Sequence, residues 1–144
     1  MIVSCNNNQQ NTESQQTGLP IRGTWKLISG TLIEKNDTTV TDYTTGKSFI
    51  KIINDTHFAF LGHDLDKGKD SANKFFTSGG GVYELHDSSY TEHLEYCDAR
   101  EWEGNSFSFT ISINNDTLVQ RGIEKVDSIN VNRINIEKYA RMKD

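Results

Sequence analysis

Cysteine is scarce in this chain, long apolar runs are missing, and positive charge is nowhere concentrated; each absence removes a class of protein. The cysteines are Cys5 and Cys97 alone. If Cys5 is modified, Cys97 has no partner and reads as a small, partly buried hydrophobe rather than part of a disulfide framework. A reactive thiol would need a setting that lowers its pKa, and His93 and Glu95 nearby on the same strand face are weak grounds for one. No stretch approaches the apolar length of a transmembrane helix. The formal net charge is −5 with no basic stripe, which excludes the usual electrostatic footprint of a nucleic-acid binder. Gly79, Gly80 and Gly81 lack the lysine, serine and helix that a phosphate-cradling loop requires. His57, His63, His86 and His93 are scattered, whereas a zinc site needs several ligands converging at about 2 Å. No metal and no cofactor is expected. No linker divides the 144 residues, a length that encloses one core.

What is present is alternation. The apolar share is only 34%, but apolar residues alternate with polar ones, as in a one-layer β wall. Strand signals fall at 22–34, 47–53, 56–62, 74–76, 81–85, 89–97, 106–113, 117–122 and 132–142, with turn chemistry between them. Asn-Asp-Thr occurs at Asn36, Asn54 and Asn115; Asn and Asp tolerate the backbone of tight turns, and the second and third copies read as hairpins. The pattern predicts an all-β, up-and-down antiparallel barrel of about 8 to 10 strands. The charged stretch 64–72, containing Gly68, reads as a mobile loop and a candidate lid. The three glycines at 79–81 read as a sharp bend at a barrel corner.

Period two also assigns faces. Phe107, Phe109, Ile111 and Ile113 share one face of their run, and Tyr90, Glu92, Leu94 and Tyr96 share one face of theirs. Turning the aromatic faces inward places Phe58, Phe60, Tyr83, Glu92, Tyr96, Phe107 and Phe109 in the lumen. Arg121 and Glu137 are further interior candidates, serving a ligand or a salt bridge across the lumen, because charges inside a barrel are costly unless paired or used. An aromatic interior with a few polar handles is the composition of a small-molecule pocket.

The N-terminus carries a second signal. Ile2, Val3, Ser4 and Cys5 match the lipobox of bacterial lipoproteins, in which the cysteine is acylated, and residues 6–17 are almost wholly Asn, Gln, Ser and Thr. Such a stretch buries too little apolar surface to order itself and suits a solvated tether. The reading divides the chain into a tether at 1–20 and a barrel domain at 21–144. It expects a basic and apolar leader upstream of Met1. It places the protein in the cell envelope, in the outer membrane through lipid on Cys5, or in the periplasm if Cys5 is not acylated.

Gly23-Thr24-Trp25 resembles the Gly-x-Trp signature on the first strand of lipocalins, and Arg141 resembles the arginine that packs across that tryptophan from the last strand. The run Gly79 to Tyr83 followed by Tyr90 to Tyr96 is similar to uncharacterised lipocalin-like proteins of Bacteroidetes, many of them secreted or lipid-anchored. The resemblance spans roughly residues 20 to 144. It implies a closed barrel, with Gly23, Trp25 and Arg141 at its closed end, that binds a small apolar or amphipathic ligand. It also turns Tyr139 and Glu137 inward beside Arg141. Periodicity alone turns the opposite, apolar face of the last strand inward: Ile134, Ile136, Ala140 and Met142. Both hold if another chain or segment covers that face, a homodimer being one such case, or if a bulge flips the register partway. Two other roles fit the same residues. One is a protein-interaction or structural envelope protein with a filled barrel. The other is an enzyme using interior Glu, Tyr and Arg for acid–base chemistry, which predicts a Glu92 made less acidic by burial.

Overall fold

Strict alternation is realised most cleanly at Ser106–Asn114, where Phe107, Phe109 and Ile111 are buried and the residues between them are exposed. The computed structural model describes residues 18–143 and contains nine such strands among them: β1 Gly23–Glu34, β2 Asp37–Asp42, β3 Lys47–Ile53, β4 His57–Asp64, β5 Phe76–His86, β6 Ser89–Cys97, β7 Ser106–Asn114, β8 Thr117–Val126 and β9 Val131–Arg141. All neighbouring pairs are antiparallel. β1 pairs with β9, which closes β1 and β3 to β9 into an eight-stranded barrel. β2 is an additional strand, lying along the same edge of β1 as β3 but further towards its C-terminal end. The all-β, up-and-down barrel read from the sequence is the fold.

Closure is anchored where the first and last strands meet. Trp25 and Arg141 are register partners, Trp25 is fully buried, and the Arg141 guanidinium carbon lies 4.1 Å from the indole centroid. Arg141 also donates from Nη1 to the Arg22 carbonyl at 2.7 Å and from Nη2 to the Pro20 carbonyl at 2.6 Å. The Trp25 indole donates to the Ile21 carbonyl at 2.8 Å. Residues 20–22 are thereby tied across this end of the barrel. Gly23 makes room: a Cβ there would stand 2.9 Å from Arg141 Nη1.

Two bulges re-aim the wall. On β1 the register to β9 shifts between Leu27 and Ser29, so inward Trp25 and Leu27 are followed by Gly30 and Leu32 opposite Glu137 and Asn135. Between β5 and β6 the shift falls at Gly80/Gly81, with Gly81 opposite Leu94 and Gly80 opposite Tyr96. Glu95 is the extra residue. The glycines are therefore not a corner between two short strands. They lie inside one eleven-residue strand, β5, and a Cβ on Gly81 would stand 1.9 Å from the His93 carbonyl oxygen.

The last strand has no bulge residue of its own and keeps an unbroken register with β8, and its polar face points inward. Asn135 and Tyr139 are buried; Tyr139 pairs with Leu27 and Leu118, both also buried. The apolar face is on the outside, where Ile134 stands between Ile33 of β1 and Ile123 of β8. Periodicity gave the wrong face here because the lumen itself is polar at this strand.

Candidate functional site

β3 alternates Phe49, Lys51 and Ile53 on one face, and Lys51 pairs with Trp25 and Phe60, which sets its side chain inside the barrel. A lysine that is 4% exposed must be compensated. Its ammonium lies 2.6 Å from Glu92 Oε1, 3.0 Å from Gln120 Oε1 and 4.0 Å from Glu137 Oε2. Three rings surround it, with centroids 5.8 Å away at Phe58, 5.8 Å at Tyr90 and 5.3 Å at Tyr139.

From Lys51 a chain of polar contacts leads away from the Trp25 end. Tyr139 donates its hydroxyl to Glu137 Oε2. Asn135 Nδ2 bridges Glu137 Oε1 at 2.8 Å and Glu124 Oε1 at 2.5 Å. Arg133 Nε donates to Glu124 Oε2 at 2.8 Å. The Arg133 guanidinium then lies 5.2 Å from the Trp102 ring centroid, and Trp102 leans on Phe107. Alternation on β8 and β9 delivers these groups: Gln120 and Glu124 fall two and six residues after inward Leu118, and β9 contributes every second residue from Arg133.

Beside this chain is a cavity of about 280 Å³. Phe49, Phe60, Leu94, Trp102, Phe107 and Phe109 form its apolar wall, and Lys51, Glu92, Gln120, Glu124, Arg133 and Glu137 form its polar wall, with Asn135 behind them. It is larger than the roughly 150 Å³ void that holds benzene and sits just below the ~300 Å³ lower end of drug-sized ligand pockets. A one-ring molecule with a short chain fits that range. Burial pushes the Glu124 carboxyl pKa up, against the nearby Arg133. Burial, with Glu137 alongside, pushes Tyr139 far above the usual phenol range, and burial with Glu92 does the same to Tyr90. Both phenols stay protonated at neutral pH. The Tyr90 hydroxyl is fully buried beside the lysine cage, with Glu92 as its charged neighbour. Cys97 lines the cavity, and burial raises its thiol pKa, so it stays a thiol rather than a nucleophile.

Of the residues singled out from the sequence, the cavity gathers Phe60, Glu92, Phe107, Phe109, Glu137 and Tyr139. Phe58 is buried against the lysine cage without lining the cavity. Three others lie elsewhere. Tyr96 is 68% exposed because the bulge at Glu95 turns it outward and brings Cys97 in. Arg121 faces outward opposite Ile136 and Thr110, since Leu118 and Gln120 fix the even-numbered face of β8 as the inner one. Tyr83 packs on Tyr90 and donates its hydroxyl to the Asn54 carbonyl at 2.6 Å, near the Pro20–Arg22 segment rather than the cavity. Gly23, Trp25 and Arg141 form the closed end. Cys5 lies outside the described residues.

The charged loop after β4 is not a cover for this cavity. Asp64 folds it on itself by accepting from the Gly68 and Phe75 amides, and it contributes no lining residue. The connection between β6 and β7 does reach the cavity: its 3₁₀ turn Arg100–Trp102 supplies Trp102 to the lining, and Ala99 just before it lines the cavity too. Glu103 fastens that turn, accepting from the Cys97 amide and pairing with Arg100. The His93 ring faces outward, within 2.7 Å of Ser106 Oγ and 3.4 Å of Glu84.

Lys51, Gln120, Glu124, Arg133, Asn135 and Trp102 belong to the site but not to the set singled out from the sequence. For Lys51 the signal was present: it alternates in step with Phe49 and Ile53. Among the described residues no three His, Cys, Asp or Glu side chains converge as metal ligands, and no helix is long and apolar enough to cross a membrane. The chain matches no protein-family model and no curated protein.

Proposed function

We propose that this barrel, lipocalin-like in architecture, binds one small, partly apolar molecule in its lumen at the cell envelope, to which lipid on Cys5 tethers it. The observation that carries the reading is the cavity of about 280 Å³ with an aromatic wall and a buried charged wall. A barrel serving only as a scaffold gains nothing from such groups, because well-packed apolar residues of similar volume are commonly as stabilising as a buried ion pair, or more so. An apolar body would pack on Phe60, Phe107 and Phe109, and a polar end would meet Glu92, Glu137 and Tyr139. Native mass spectrometry of protein purified gently from its own host tests this. A bound small molecule that leaves on denaturation is the expected result; uniformly ligand-free protein contradicts the reading. For the tether, a Cys5→Ser chain should leave the membrane fraction, and equal recovery there contradicts lipidation.

A second reading, contact with another protein or a second copy, has support from exterior apolar side chains. Val40, Phe76 and Ile123 are each more than half exposed. Sedimentation of the purified chain over a concentration series distinguishes a monomer from a self-associating barrel.

A further inference from the structure

Charge inside the cavity is uneven, and the imbalance falls on one residue. Lys51 and Arg133 are the two cations of the polar wall, and Glu92, Glu124 and Glu137 are its three carboxylates. Glu92 has Lys51 at 2.6 Å and Glu124 has Arg133 at 2.8 Å. Glu137 has no cation of its own: its two oxygens accept from the neutral donors Tyr139 and Asn135, and the nearest ammonium, at 4.0 Å, is already committed to Glu92. An incompletely matched carboxylate beside an apolar wall gains most from an added positive charge, because attraction strengthens as water is displaced.

We infer that the cavity takes a small amphipathic organic ammonium, with its cationic end at Glu137 and its apolar body against Phe107 and Phe109. This rests on the reading of the lumen as a ligand site and names the class of ligand it selects. A carboxylate ligand would bring a fourth negative charge to a wall with two cations, both engaged. Arg133 is the group that could draw it, but its Nε is on Glu124 and its plane is against Trp102. Aromatic side chains favour the cation as well, since ring faces attract an ammonium and not an anion. The cavity volume limits the body to about one ring with a short chain.

The test uses three molecules that share a ring and chain and differ at one end: 4-phenylbutylamine, 4-phenylbutan-1-ol and 4-phenylbutyrate. Each is titrated calorimetrically into the full chain at neutral pH and low salt. The amine should bind about tenfold or more tighter than the carboxylate, with the alcohol between them. In Glu137→Gln the amine should lose that advantage, its affinity falling to within about twofold of the alcohol's in the same variant. A carboxylate that binds as well as or better than the amine overturns the inference and leaves the ligand-site reading standing. Should none of the three bind wild-type protein, the ligand-site reading falls and the inference with it. The wild-type ranking decides the matter even if the variant does not fold.

Discussion

Lys51 and Glu92 face each other across 2.6 Å with side chains only 5% and 11% exposed, and they come from strands β3 and β6, which are not neighbours in the sheet. The pair therefore crosses the lumen. Removing its cation should be far worse than removing both charges. Lys51→Met leaves Glu92 buried without its partner and should cost about 3–5 kcal/mol in urea unfolding at neutral pH. Adding Glu92→Leu should recover a large part of that loss. If the double variant is the less stable of the two, the pair is not compensating buried charge.

Trp25 and Arg141 should share energy in the same sense. Trp25→Ala empties a fully buried indole site and should cost about 3–5 kcal/mol. Arg141→Ala should cost less, through the lost stacking and the freed carbonyls of Pro20 and Arg22. The two effects should be non-additive by about 0.5 kcal/mol or more in a double-mutant cycle. Strict additivity would mean that the stack does not hold the barrel ends together.

The bulge at Gly80/Gly81 makes a backbone prediction. A methyl group on Gly81 meets the His93 carbonyl oxygen, a backbone atom that cannot swing away, whereas one on Gly18 meets nothing within 4 Å. Gly81→Ala should destabilise the barrel by about 1–3 kcal/mol or more, and Gly18→Ala should be close to neutral. Equal thermal midpoints for the two variants would place the close strand approach elsewhere.

Acid stability should depend on the loop after β4. Hydrogen bonds, first from the Gly68 amide, then with the Asp66 side chain and from the Phe75 amide, hold the Asp64 carboxyl down at about 2, against an ordinary 3.8. Asp70 is lowered by Asn73, and Glu103 by the Cys97 amide. With the folded pKa below the unfolded one, the unfolded chain takes up protons first as pH falls. Stability held above about pH 4 is then lost progressively towards about pH 2. Asp64→Asn cannot serve both amides as well. It should melt lower at neutral pH and show a flatter pH dependence across that window. An unchanged slope would assign the acid sensitivity to other carboxylates.

The barrel was legible because its strongest signals are local. Phe107, Phe109 and Ile111 alternate without interruption, and Trp25 and Arg141 mark strands that must meet once the sheet closes. Tyr96 was misplaced because a bulge adds one residue without altering the apolar pattern, and every face beyond it reverses. β2 was missed because its sequence, Asp37 to Asp42, has a single apolar residue, although Lys35 and Asn36 adopt the paired positive φ angles, 48° and 66°, of a tight hairpin. The polar wall was half hidden for a different reason. Reading apolar faces as inward works where a strand lines a core; β9 lines a charged network instead, so Arg133 and Asn135 point in while Ile134 and Ile136 point out. Gln120 gave no sign by itself, since its importance comes from Lys51, 69 residues away in sequence.

The most direct test of a ligand-binding lumen is amide and indole NMR of the full chain titrated with the neutral probe 4-phenylbutan-1-ol, which carries no charge of its own. Shifts should concentrate on Leu94, Cys97, Trp102, Phe107, Phe109 and Gln120, with the Trp102 indole among the largest, and saturate together. Shifts confined to the exterior around Tyr96, Leu61 and Phe76, or no saturable shifts at all, would contradict binding inside the barrel.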